Sequence, residues 1–430
     1  MYPNLYYAFR DLFGVDWSFL KIFNTFGFFV ALSFIGAAWV LTIEFRRKQA
    51  QGLLTYTEQS ITSGAPATAG EILLHFLLGF ILGFKVIGAI TIPGALDDPQ
   101  SFILSTRGSL LFGLLAGAVF GWLKWREKKR QQLAKPEQRI IRIWPQDRVG
   151  DLVIYAAVFG FLGAKIFHNL ENWGDFIKAP LEALVSFSGL TFYGGLICAA
   201  IAIYFYSRKH KIPFVHMCDA NAPGLMLAYG MGRIGCQVSG DGDWGILNSA
   251  YVSDSQAHIV PATPAMFQQA VVSNQAFFAQ EFGTPSAAHH LYARAFWGLP
   301  DWLFAYNYPH NVINEGVPLV DCPGAYCHYL PIPVFPTPLY EMTVCLILFA
   351  FLFAFRKKIK IPGRMFAIYL ILNGIERFFI EKIRINTTYS IFGFHPTQAE
   401  IISSLLVVTG VALYVYAPRI RVPNFKNSLS

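Results

Sequence analysis

Charge is scarce in this 430-residue sequence. Asp, Glu, Lys and Arg make up 14% of it, against about 25% in soluble globular chains. A water-facing surface cannot be built from so little, which excludes an ordinary soluble domain. Metal-ligand clusters are lacking too. Ten histidines and six cysteines are scattered along the chain, without the spacing of a zinc site, so neither a metal nor an organic cofactor is expected. The segment CPGAYCH (322–328) has four residues between its cysteines, where haem attachment needs two. GMGRIG (230–235) fits the dinucleotide pattern GxGxxG but has no strand before it and no βαβ unit around it. The first twenty residues are aromatic and mixed and lack the basic stretch and cleavage site of a secretory leader, so none is expected there.

What is abundant is apolar sequence: 54% of the residues are hydrophobic and the mean hydropathy is +0.42. Nine runs have the length of a bilayer crossing, at 23–45, 70–92, 108–124, 150–169, 188–206, 214–235, 337–355, 363–381 and 397–417. The fold class expected is an all-α polytopic integral membrane protein with about nine transmembrane helices and a large extracytoplasmic loop. The net charge of +8 is unevenly spread. The connections after spans one, three, five, seven and nine hold 23 of the 34 Lys and Arg, whereas 236–336 contains one, Arg294. That asymmetry is the positive-inside pattern. It places the N-terminus outside and the C-terminus in the cytoplasm, and it accounts for the basic balance without nucleic acid. The domains read as an outer interfacial segment rich in Tyr, Phe and Trp (1–22), spans one to six (23–235), an outer loop or head (236–336), spans seven to nine (337–418) and a cytoplasmic tail (419–430). Cys322 and Cys327 lie on the oxidising side, where a small disulfide-closed turn is expected. GFILGFK (79–85) and GFLGAK (160–165) form a faint repeat that fits either duplication or chance.

Arg233 is the costly residue. At a helix centre an arginine costs about 2.5–3.5 kcal/mol on insertion scales, so a buried anion is its simplest reason. The topology gives depth to its neighbours. Lys165, Arg233, Arg377 and Glu381 lie near the outer ends of spans four, six and eight, and Tyr193, Tyr340, Glu341, His395, Gln398 and Glu400 near the outer starts of spans five, seven and nine. One shared level at the outer headgroup boundary points to a substrate site whose ligand is a phospholipid headgroup. Asn373, Arg377, Glu381 and Arg384 share one helix face, and Arg377 and Glu381 can also pair simply as i, i+4 neighbours. Lys382 and Arg384 read as snorkelling residues. The glycines of 230–235, and Gly194 with Gly195, allow close approach either to a lipid phosphate or to a neighbouring helix. Asp219 reads as structural.

Together these residues resemble the bacterial prolipoprotein diacylglyceryl transferases. LTFYGGLI is similar to the family segment with a histidine before paired glycines. MGRIGCQVSGDGDWG resembles its Gly-Arg-hydrophobic-Gly signature with a polar turn and Trp-Gly. PTPLYE (336–341) resembles its Leu-Tyr-Glu motif, and ERFFIEKIR (376–384) its Arg-x-x-x-Glu-x-x-Arg helix. The resemblance implies transfer of the diacylglyceryl group of phosphatidylglycerol to the lipobox cysteine of a prolipoprotein, in the bacterial inner membrane, with the site facing the outer leaflet. It implies phosphate contacts for Arg233 and Arg377, a carboxylate role for Glu381 and Glu341, the turn acid at Asp241, and Gly245 closing the signature. Lys165, Gly194 and Gly195 join them as expected lipid-phosphate contacts. Tyr193 stands where the family has its histidine, Cys236 in place of an Asn, Asn373 and Phe26 in place of tyrosines. The family has about seven spans, so 70–124 reads as an insertion. The base that takes the thiol proton is open among Tyr193, Glu381 and His395. The alternatives are an anionic lipid or solute transporter and a non-catalytic lipid-binding relative.

Overall fold

The computed structural model describes residues 1–96, 98–185, 189, 191–283, 289–322, 324–384, 389 and 395–420. Of the tail expected at 419–430, residues 421–430 lie outside the described residues, as do 188 and 190 at the start of the fifth run. Among the described residues nine long helices coincide with the nine apolar runs. They are α1 (Thr25–Ala50), α2 (Ala69–Thr91), α3 (Leu110–Gln131), α4 (Val149–Glu171), α5 (Phe192–Lys209), α6 (Phe214–Ser239), α7 (Thr337–Phe355), α8 (Arg364–Glu381) and α9 (Gln398–Tyr416). Five of these regions, at α1, α2, α4, α7 and α9, are long and apolar enough to cross a membrane on composition alone. The others carry charge: α3 and α5 end in basic residues, and α6 and α8 hold ionic side chains along their length. Large apolar side chains lie exposed on these helices, among them Leu114, Ile154, Ile201, Ile347 and Val411. Such surface is costly in water and natural in lipid. The chain is a polytopic membrane protein.

The chain divides into two compact units. The first comprises Met1–Leu12, Phe23–Glu44 and Val215–Val422, and so contains most of α1 and all but the first residue of α6, with α7, α8 and α9. Helices α8 and α9 pack closely because glycine removes the side chain at the crossing. A Cβ on Gly374 would lie 2.7 Å from the Ser403 carbonyl oxygen, and one on Gly410 would lie 2.9 Å from that of Ala367. At the other end of α8, Gly363 adopts φ +89°, and Asp219 of α6 caps the helix from outside. Its carboxylate accepts from Gly363 N at 2.8 Å and Phe366 N at 3.0 Å. Asp219 is structural, as expected. The stretch 236–336 is a folded head, not a bare loop. Trp244, Leu247, Phe267, Val271, Phe278, Tyr308, Leu330, Ile332 and Val334 form its buried core. Short strand pairs and the Cys322–Cys327 disulfide bind its turns.

Among the described residues the second unit comprises Phe13–Ile22 and Phe45–Phe214. Its helices form two close pairs, α2 with α3 and α4 with α5. An antiparallel pair of strands, β1 (Thr57–Ser63) and β2 (Glu137–Ile143), departs from the all-α expectation. The edges of these strands are mostly polar, and no apolar run announced them.

Gly374→Val should overpack the α8–α9 crossing and cost about 1–3 kcal/mol. A lowered thermal unfolding midpoint in detergent checks this. Gly232→Ala, whose added Cβ meets no atom within 4 Å inside a helix, should not lower the midpoint.

Candidate functional site

Helices α6, α7 and α8 each contribute an ionic side chain to one buried cluster. Glu341, on the first turns of α7, is fully buried. Four donors reach its carboxylate. Tyr229 Oη donates to Oε2 at 2.5 Å, Arg233 Nε lies 2.9 Å and Arg377 Nη1 3.5 Å from the same oxygen, and Arg384 Nη1 lies 3.1 Å from Oε1. Arg377 also pairs with Glu381 one turn further on at 3.1 Å. The i, i+4 pairing is therefore present, and it leaves Arg377 aimed at Glu341 as well. Asp243 bridges Arg233 and Arg384. Three arginines thus meet three carboxylates, and Arg233 stacks over the Tyr229 ring at 5.2 Å. The side chains of Arg233 and Arg377 remain 17% and 19% exposed. Guanidinium groups held this way have the fixed fork geometry that suits recognition of an anion.

The turn after α6 reaches the cluster through Gly245. Its N–H donates to Phe335 O at 2.9 Å and Ile246 N donates to Ile383 O at 2.9 Å. A Cβ on Gly245 would stand 2.6 Å from the Ile383 oxygen and 2.9 Å from that of Phe335. Only glycine lets the turn lie between these two strands of backbone, and that contact delivers Asp243 to Arg384. Thr337 Oγ1 fixes the turn by donating to Asp243 O at 3.1 Å.

Of the residues singled out from sequence, the structure brings together Arg233, Arg377, Glu381 and Glu341. Asp241 is adjacent but plays another part. Its Oδ1 accepts from Asp243 N at 3.3 Å, and burial pushes its carboxyl above the ordinary range, with Cys236 and Arg233 pulling the other way. The turn acid inside the cluster is Asp243, two residues on. Arg384 is corrected as well: it does not snorkel but closes the cluster, while Lys382 pairs with Glu400 near the surface. His395 is exposed and is not a member of the cluster. Tyr193, Gly194, Gly195 and Lys165 belong to the second unit. There Gly194 abuts the Gly163 oxygen and Gly195 the Gly160 oxygen, at 2.7 and 2.9 Å from an added Cβ. Of the two roles open to these glycines, helix contact is the one this geometry carries. Sequence reasoning missed Tyr229, four residues before Arg233 on the same helix face, a spacing that signals it.

A fully buried glutamate under three arginines, at the ends of long apolar helices, is an ionic cluster of the kind that membrane proteins keep for function. The sequence model of the prolipoprotein diacylglyceryl transferase family matches residues 109–416, and the chain belongs to that family. It is 23% identical over 328 residues to a phosphatidylglycerol–prolipoprotein diacylglyceryl transferase of Dehalococcoides mccartyi, covering 75% of this chain and 94% of the relative. It is 25% identical over 323 residues to one of Staphylococcus haemolyticus, covering 74% and 88%. For one of Xylella fastidiosa the identity is 26% over 330 residues, covering 74% and 91%.

Glu341→Gln should cost about 3–5 kcal/mol, because it leaves buried arginines without their shared counter-charge. Thermal unfolding in detergent reads that loss. A second test lies in the head. Burial, and Glu281 nearby, push the Glu315 carboxyl up to about 7. The folded state therefore holds a proton that the unfolded state has released, and stability falls as pH rises from the ordinary carboxylate range through about 7. Glu315→Gln should flatten that slope in midpoints measured between pH 4.5 and 8.

Proposed function

We propose that the protein is a phosphatidylglycerol–prolipoprotein diacylglyceryl transferase acting on the lipobox cysteine of its substrates. The family match across 109–416 carries this reading, and the arginine cluster supports it chemically. In the reaction the cysteine sulfur attacks the glyceryl carbon that bears the phosphate. The new carbon–sulfur bond is a thioether. The carbon–oxygen bond breaks, its electron pair leaves with the phosphate oxygen, and glycerol phosphate is released. The thiol is far weaker as a nucleophile than its thiolate, so its proton passes to a base.

Arg233 and Arg377 hold the lipid phosphate and offset the charge that grows on it as it leaves. Oriented donors of this kind are worth about 2.7–4 kcal/mol each. Glu341, Tyr229, Asp243 and Glu381 hold the guanidinium planes in place, so little reorganisation is left for the reaction itself. Glu381 is already committed to Arg377 and His395 is exposed. The base stays open among Tyr193, Glu381 and His395, and the variants below decide it.

The nine helices are taken as nine spans with the N-terminus outside, the C-terminus in the cytoplasm of a bacterial inner membrane, and the arginine cluster level with the outer leaflet. The basic connections support this orientation. The head at 236–336 then stands on the side from which the precursor's mature part arrives; of the stretch 70–124 expected to be an insertion, 109–124 falls within the family match.

Arg233→Ala should lower transfer of labelled diacylglyceryl to a lipobox peptide by about 100-fold or more, with normal insertion in the membrane. Full activity would remove the phosphate-clamp role. Tyr193→Phe and His395→Gln, assayed separately in the same vesicles, decide the base: whichever variant keeps the normal rate is excluded. Movement of labelled lipid between leaflets without transfer would instead indicate the transporter alternative.

A further inference from the structure

The stretch 289–303 of the head carries an apolar surface that the head's core does not use. Tyr292, Phe296, Trp297, Leu299 and Trp302 all lie exposed within it. The same stretch holds Arg294, the single Lys or Arg of 236–336. Tryptophan, tyrosine and an arginine side by side are the mixture that membrane proteins place at the boundary between hydrocarbon and water.

The backbone holds these side chains outward. Leu247 pairs with His290 and Asn248 with Leu291 where the stretch begins. Asn248 is fully buried and closes the loop from inside. Its Nδ2 donates to Ala293 O at 2.8 Å and Phe304 O at 2.9 Å, and its Oδ1 accepts from Ala293 N at 3.2 Å. Tyr251 Oη donates to Asp301 Oδ1 at 2.6 Å and accepts from Ala295 N at 2.9 Å. At the tip, Leu299 N donates to Phe296 O at 3.1 Å. The two residues between them, Trp297 and Gly298, have φ +54° and +73°. Turns with two left-handed residues favour Asn-Gly, and a bulky side chain at positive φ is strained. Here the strained residue is a tryptophan, and it is 94% exposed. Its ring stands edge-on to Phe296 at 5.2 Å, and Phe296 meets Phe304 at 5.1 Å. The tip is thus braced from within while it presents its largest ring outward. Strain that the surrounding structure enforces in this way marks a place of function.

Tyr340 gives the loop its depth. Its hydroxyl donates to Leu303 O, and it lies on the first turn of α7, which has 19 residues. Such a helix is about 28 Å long, against about 30 Å of bilayer hydrocarbon. A crossing with so little to spare has its first turn at the boundary, and Leu303 lies there with it. Val344, Ile347 and Phe351 are exposed at i+4, i+7 and i+11 from Tyr340, along one face of the helix. The loop is therefore tied to the head of a stripe that lipid covers.

We propose that residues 291–303 are an interfacial anchor whose partner is a lipid surface. Phe296, Trp297 and Trp302 enter the boundary between acyl chains and headgroups beside the first turn of α7, and they hold the head against the bilayer. The anchor is independent of which leaflet this is and of the proposed reaction.

Fluorine NMR tests it on the full chain, one copy per phosphatidylcholine nanodisc, with 5-fluorotryptophan in place of tryptophan. Trp297→Phe, Trp302→Phe and Trp244→Phe assign three resonances by their loss. Trp297→Asn, which suits a left-handed turn, assigns the first a second time. Lipid carrying a doxyl group near the top of its acyl chain should erase the Trp297 and Trp302 signals. Trp244, in the head's core, should keep its signal. A water-soluble gadolinium chelate should spare Trp297. Survival of the Trp297 signal in doxyl lipid overturns the anchor. Its erasure by the chelate would then put the loop in water, and a shift on adding a lipobox precursor would make the patch a docking site for that protein instead.

Discussion

Where α6, α7 and α8 meet in the first unit, everything is arranged around the carboxylate of Glu341. An isolated carboxylate in that position would cost several kcal/mol in desolvation. It is tolerated because three guanidinium groups and one phenol converge on it. Those donors come from α6, from α8 and from the segment just after α8. The ionic cluster is therefore also the joint that holds three helices and the first turn of the head in one geometry. Removing the shared acceptor would unsettle every arginine at once.

This dual role explains why the site's charges balance. Three arginines with no counter-charge would repel one another in a low-dielectric environment. Matched by Asp243, Glu341 and Glu381, they stand ready and in fixed planes. An incoming anion meets donors already oriented, which is the condition under which electrostatic stabilisation contributes most.

The parts legible in the sequence were those whose signal lies within one segment. Runs of apolar residues marked all nine long helices. Arg233, Arg377, Glu341 and Glu381 stood out because ionic groups in such runs are expensive. What stayed hidden depends on contacts distant in sequence. Asp243 and Asp241 lie two residues apart in one polar turn, and only the backbone contacts of Gly245 with Phe335 and Ile383 decide which faces the arginines. Arg384 looked like a snorkelling residue because its partners, 43 and 141 positions away, are invisible locally. The head gave no periodicity because its core is assembled from scattered residues between Trp244 and Val334. The β1–β2 pair was hidden for the same reason: its strands are 80 residues apart.

Asp219 adds a mechanical consequence. Near the start of α6 it holds the first backbone amides of α8, and near the other end of the same two helices Glu341 receives both Arg233 and Arg377. Two rungs at opposite ends turn α6 and α8 into a ladder. Neither helix can slip by a turn past the other without breaking a rung, so their two arginines keep a fixed spacing, like the jaws of a gauge. Any movement that widens that gap has to be sought in other rails of the structure.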